Sequence, residues 1–156
     1  MKQGREPWQV LAALMLMGLA WSAQAQTEAI GYVKNVTGDA WVTSAGQRVK
    51  ATPGSAVMLG SKLQTGATAS LGVNFKDDTQ MSFGPDTELT VDEYLYEPAN
   101  KKLGFSTRLV RGTLNFVSGV IAKLKPDSVS IKTPTGVIGV RGTQFVVRVD
   151  PDEEAQ

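Results

Sequence analysis

The stretch Ile131-Lys-Thr-Pro-Thr-Gly-Val-Ile-Gly-Val-Arg-Gly-Thr-Gln-Phe-Val-Val-Arg-Val149 is dense in β-branched residues and carries Gly136, Gly139 and Gly142. Such a run favours strand over helix, because β-branched side chains fit a pleated surface and glycine disfavours a helix interior. Its apolar phase also shifts. Ile138 and Val140 fall on even positions, whereas Phe145, Val147 and Val149 fall on odd ones. Side chains alternate strictly along a strand, so one regular strand cannot keep both sets on one face. Gly142 is the expected place for the bulge or corner that absorbs the extra residue.

The same device stands earlier in the chain. Val110-Arg111-Gly112-Thr113 precedes Leu114 and Phe116 as Val140-Arg141-Gly142-Thr143 precedes Phe145 and Val147. Parity changes again across the glycine, from Phe105, Thr107 and Leu109 to Leu114 and Phe116. A repeated strand–corner–strand unit points to stacked or wound β-structure. The expected fold is therefore all-β, with short strands wound in a β-helix-like or compact sandwich arrangement.

Between the two corners the period changes once. Val117, Val120, Ile121 and Leu124 sit at helical spacing and Pro126 stops the pattern, so one or two helical turns are expected between Ser118 and Lys125. Upstream, alternating strands are separated by turn signals. Leu71, Val73 and Phe75 face Met81 and Phe83 across Lys76-Asp-Asp-Thr79, and Tyr94 and Tyr96 lead through Pro98-Ala-Asn-Lys101 to Leu103 and Phe105. Residues 30–42 read as two short strands around Gly38-Asp39.

The first residues read as an export signal. Lys2 and Arg5 precede the uncharged apolar run from Val10 to Trp21, and Ala23 and Ala25 place small residues where a signal peptidase cuts, before Gln26. The expected division is a signal peptide over 1–25, one β domain over 26–150 and an acidic tail over 151–156. Of 16 basic and 15 acidic residues, Lys2, Arg5 and Glu6 precede the cut, so the remainder is electrically neutral. Neutrality argues against a nucleic-acid partner, which usually meets a basic excess.

The closing motif identifies a relative. Thr133-Pro134, followed by Gly139-Val140-Arg141-Gly142-Thr143-Gln144-Phe145, resembles the end of the FecR domain family, named for the periplasmic part of a ferric-citrate signalling regulator. The resemblance spans about 30–149. It also takes in a middle pattern of strand, Asp turn, strand, Gly84-Pro85 and a polar-Leu strand. Family members often place Gly or Asn after the first Asp of that turn, where this chain has Asp78. The resemblance implies a non-catalytic bacterial envelope module, periplasmic or secreted. It looks like the stand-alone exported form, touching the membrane only during export and meeting an envelope protein as partner.

The chemistry available to the residues agrees with that expectation. The chain has no His and no Cys, which excludes Ser-His-Asp and Cys-His nucleophiles, the usual zinc sites and disulfides. No cofactor is expected. Asp86, Glu88 and Asp92 read as a solvated strand face rather than a glycosidase pair, and Asp77-Asp78 as a turn rather than a calcium loop. Arg111 and Arg141, in identical surroundings, are expected to serve structure by donating to backbone carbonyls left open at each corner. Trp41, Tyr94 and Tyr96 are candidate contact aromatics. If exposed, they would favour the alternative function, a module that binds cell-wall or capsular polysaccharide.

Overall fold

The computed structural model describes residues 27–151. The expected cleavage site at Ala23 and Ala25 and the tail beyond Pro151 lie outside the described residues. Twelve strands form one curled, half-barrel sheet. They are β1 (Ala29–Thr37), β2 (Ala40–Ser44), β3 (Gln47–Lys50), β4 (Ala56–Met58), β5 (Lys62–Thr65) and β6 (Ser70–Phe75), then β7 (Gln80–Phe83), β8 (Glu88–Glu97), β9 (Lys102–Val117), β10 (Val129–Thr133), β11 (Gly136–Gly139) and β12 (Gln144–Val149). A single short helix, α1 (Val120–Leu124), follows β9. The all-β class with one short helix is therefore what forms. Of the two arrangements expected, the compact one is realised: every ladder but the β9–β10 pair is antiparallel, whereas a β-helix needs parallel coils.

The long strand β9 holds the molecule together. Its first part pairs with β8 on one side and β10 on the other; its second part pairs with β7 and β12. Two half-sheets meet there. The first runs β3-β2-β5-β8-β9-β10-β11, and the second runs β4-β1-β6-β7-β9-β12. Their inner faces bury cross-strand rows such as Val42–Leu63–Leu89–Leu109 and Val33–Val73–Met81–Phe116. Gly112 is where β9 passes from one half-sheet to the other, and inward residues change there from Leu109 to Leu114.

Two further phase shifts had no glycine to announce them. Register slips between Val91 and Glu93 in β8, so Val91 and Tyr94 both face inward, and between Val33 and Asn35 in β1. Each is a bulge that bends the sheet inward, since an extra residue raises local twist.

The β6–β7 turn and α1 are built as one piece. Asp78 itself takes the left-handed conformation (φ 65°), at the place where family members often carry Gly or Asn. Buried Asp77 accepts hydrogen bonds from Thr79 Oγ1 at 2.7 Å, Tyr94 OH at 3.1 Å and the Ile121 N–H at 3.3 Å, while its carbonyl accepts the Val120 N–H at 2.7 Å. The turn thus caps α1 from outside the helix, meeting amides that a helix start otherwise leaves open. Those bonds engage both carboxylate oxygens of Asp77 in structure.

Candidate interaction surface

The two corners place the motif residues. At the first, Thr87 Oγ1 donates to Gly84 O at 2.9 Å and accepts the Thr113 N–H at 3.0 Å. Thr65 Oγ1 donates to Gly84 O at 2.6 Å and accepts the Thr87 N–H at 2.9 Å. This small threonine cluster satisfies the backbone where the ladder is interrupted. Gly112 (φ 93°) lies against it so closely that a Cβ would stand 2.2 Å from Thr87 Oγ1 and 2.4 Å from Thr87 Cα.

At the second corner, Thr133 Oγ1 donates to Gly136 O at 3.0 Å and closes the hairpin around Pro134. Val140 is buried. The segment is then pinned by Ser118, whose Oγ donates to Gly142 O at 2.7 Å and whose N–H donates to Thr143 O at 2.8 Å. Phe145 stacks on Phe116 at 5.1 Å between centroids. Gly139 and Gly142 (φ 119°) face open space.

The arginines do not do what the repeat implied. Arg111 reaches toward Glu88 at 3.7 Å, and Arg141 toward Asp127 at 3.7 Å with both side chains above 80% exposed. Neither guanidinium bonds a backbone carbonyl, because hydroxyls of Thr87 and Ser118 already occupy the corner backbone. The expected contact aromatics are also covered. Tyr94 stacks on Phe75 at 5.8 Å and meets Phe105 edge-on at 5.1 Å, and Tyr96 packs against the core. Burial, with Asp77 beside it, pushes the Tyr94 hydroxyl pKa well above the usual phenol range. Trp41 is half-buried, with the Arg48 guanidinium 4.2 Å above its ring.

The open feature is the rim beyond the second corner. Val137, Ile138 and Val146 are exposed there. A cleft of about 330 Å³ between β11 and β12 is lined by residues 133–138 and 147–150. The hydrogen bond from Ser118 N to Thr143 O fixes the phase of the β9–β12 ladder. Alternation then turns the N–H and C=O groups of Val147 toward β9 and those of Gln144, Val146 and Arg148 toward the unpaired side. The other rim is guarded: β3 carries Arg48 and Lys50, and β4 is only three residues long, two of the devices that blunt sheet edges. On β12, exposed Val146 occupies the middle of the free edge, and its one charged residue, Arg148, is paired with Asp150 at 2.8 Å.

Serine, threonine and aspartate at Ser118, Thr65, Thr87 and Asp77 were not singled out for these roles. The bonds by which they join separate segments reach partners 17 to 44 residues away in sequence, which no local pattern marks.

The family model for FecR protein matches residues 61–155, and the chain belongs to that family. FecR proteins are envelope-associated, and the family is a regulatory and signalling one. Curated proteins and solved structures give no match. Among the described residues no helix is long and apolar enough to cross a membrane.

Proposed function

We propose that this protein is a non-catalytic module of the bacterial cell envelope, periplasmic or secreted after cleavage behind Ala25. It relays or gates a signal by accepting an extended segment of a partner protein along the free edge of β12. Strand addition of this kind draws affinity from backbone hydrogen bonds and selectivity from alternate side-chain pockets. The observation that carries the reading is the contrast between rims: Arg48 and Lys50 guard β3, whereas β12 presents Gln144 and Val146 along its free edge and its one charge, Arg148, is paired with Asp150 near the strand's end. The polysaccharide reading that relied on Tyr94 and Tyr96 as exposed rings loses those two contacts, since both pack against the core, and Trp41 stays half-buried under Arg48.

The test uses Val146→Pro. The Val146 N–H points away from β9, so proline there removes a donor offered to the partner and no ladder bond, as edge positions allow. A photo-crosslinker at Gln144, expressed in the native envelope, should trap one protein, and Val146→Pro should abolish that product while the domain stays folded by circular dichroism. A folded Val146→Pro protein that still gives the full crosslink would overturn the reading.

A further inference from the structure

The outer faces of the two half-sheets differ in charge. On the second, two cross-strand rows read Tyr32–Asn74–Gln80–Val117–Gln144 and Asn35–Gly72–Ser82–Asn115–Val146, without a charge, and Arg148 in the row beyond is neutralised by Asp150. On the first, one row reads Arg48–Thr43–Lys62–Thr90–Arg108–Lys132, and the next reads Lys50–Trp41–Gln64–Glu88–Arg111. Glu88 is bracketed by Lys62 at 3.3 Å and Arg111 at 3.7 Å, and Asp92 by Arg108 at 3.1 Å and Lys132 at 3.6 Å. Asp39 pairs with Lys50 at 2.8 Å. The six cations therefore outnumber the carboxylates that meet them, on a domain whose overall charge is balanced. Beyond the Asp92 bulge the cationic excess ends: Glu93 carries the opposite charge and Glu97 meets Lys102 at 3.9 Å, so the band has a defined border.

We propose that this band is a docking track for an anionic polysaccharide, a linear chain bearing carboxylates such as a uronate polymer. Charge complementarity gives the sign of the ligand. At about 4.8 Å per strand the row from Arg48 to Lys132 is roughly 25 Å long, the span of several sugar units. Of the positions between the cations, Thr43, Gln64 and Thr90 offer hydrogen bonds to hydroxyls, Glu88 is neutralised by Lys62 and Arg111, and Trp41 is the one aromatic. The half-barrel is convex on this side, so a flexible chain can follow it where a planar bilayer touches only a line. Trp41 lies within the band under Arg48, and a sugar ring displacing that guanidinium would find an aromatic face. The track is separate from the β12 edge and does not rest on it.

The experiment is binding of the purified protein to polygalacturonate at about 50 mM salt, where surface charges are weakly screened. Binding is expected, with loss on raising salt and none to neutral dextran. Arg48→Gln with Lys132→Gln removes one cation from each end of the row and leaves Arg108 with Asp92 and Lys62 with Glu88. It should weaken binding about threefold to tenfold, as exposed charge contacts are worth. The charge-preserving pair Arg48→Lys with Lys132→Arg should restore it and shows that folding is not at issue. Absence of polygalacturonate binding, equal binding to dextran, undiminished binding by the Gln pair, or binding to phosphatidylglycerol vesicles without binding to the polymer would each overturn the proposal.

Discussion

At residues 110–113 the chain turns a corner in the middle of the sheet; at 140–143 the same four residues turn one at its rim. Both glycines take positive φ, 93° at Gly112 and 119° at Gly142. The surroundings differ. Gly112 is pressed against Thr87, whereas nothing approaches within 4 Å of a Cβ at Gly142. Thr87, a side chain of another strand segment, staples the first corner; Ser118 holds the second from the strand beside it. The tetrapeptide thus encodes a backbone shape. How much depends on that shape is decided by what packs on it.

The largest effect that would test this difference is at Gly112. Gly112→Val adds both backbone strain and an unavoidable clash with Thr87, so it should cost about 4 kcal/mol or more, or prevent folding. Urea unfolding measures it, and a midpoint near that of the unaltered protein would erase the distinction. Next comes Thr87→Val, which keeps the shape but orphans the Thr113 N–H, while the Gly84 carbonyl keeps its bond from Thr65. A loss of about 1–3 kcal/mol is expected. Gly142→Val meets strain without a clash and should cost about 1–3 kcal/mol, always less than Gly112→Val. Equal losses at both glycines would mean that backbone conformation alone sets the cost.

The arginines sharpen the same comparison at smaller scale. Arg141→Met should leave stability within about 0.5 kcal/mol, because its ionic partner among the described residues is a solvated Asp127. Arg111→Met should act through Glu88. Burial pushes the Glu88 carboxyl up, but hydrogen bonds from Gln64 and Lys62 and the charges of Lys62 and Arg111 outweigh it and hold the pKa below the usual value. A lowered folded pKa means a small stabilisation present above the unfolded pKa and lost as pH falls through the folded one. Arg111→Met should therefore raise the Glu88 pKa and shrink that acid-side loss, and Arg141→Met should leave it alone. A carbon-13 carboxyl titration by NMR reads both.

Much of this architecture was legible. Alternation of apolar residues marked β6, β7, β8 and β9, the parity breaks located Gly112 and Gly142, and the helical spacing up to Pro126 placed α1. The closing motif Gly139–Phe145 pointed to the family that residues 61–155 match. The roles given to Arg111 and Arg141 were not right, because identical local sequence says nothing about which hydroxyls arrive from elsewhere. The bulges at β1 and β8 also escaped, since Lys34 and Asp92 carry no turn signal and the slip shows only against a partner strand.

What the sequence determined alone is what local physics controls: strand or helix from the period of apolar residues, and corners from a phase change at a glycine that tolerates positive φ. Tertiary structure decided the rest. Strand order set which rim stays open at Val146 and which is guarded by Arg48 and Lys50. Register aligned Arg48, Lys62, Arg108 and Lys132, from four separate strands, into one row. Each is a relation between segments distant in sequence, fixed only when the ladders close, because a one-residue slip would send every one of those side chains to the opposite face.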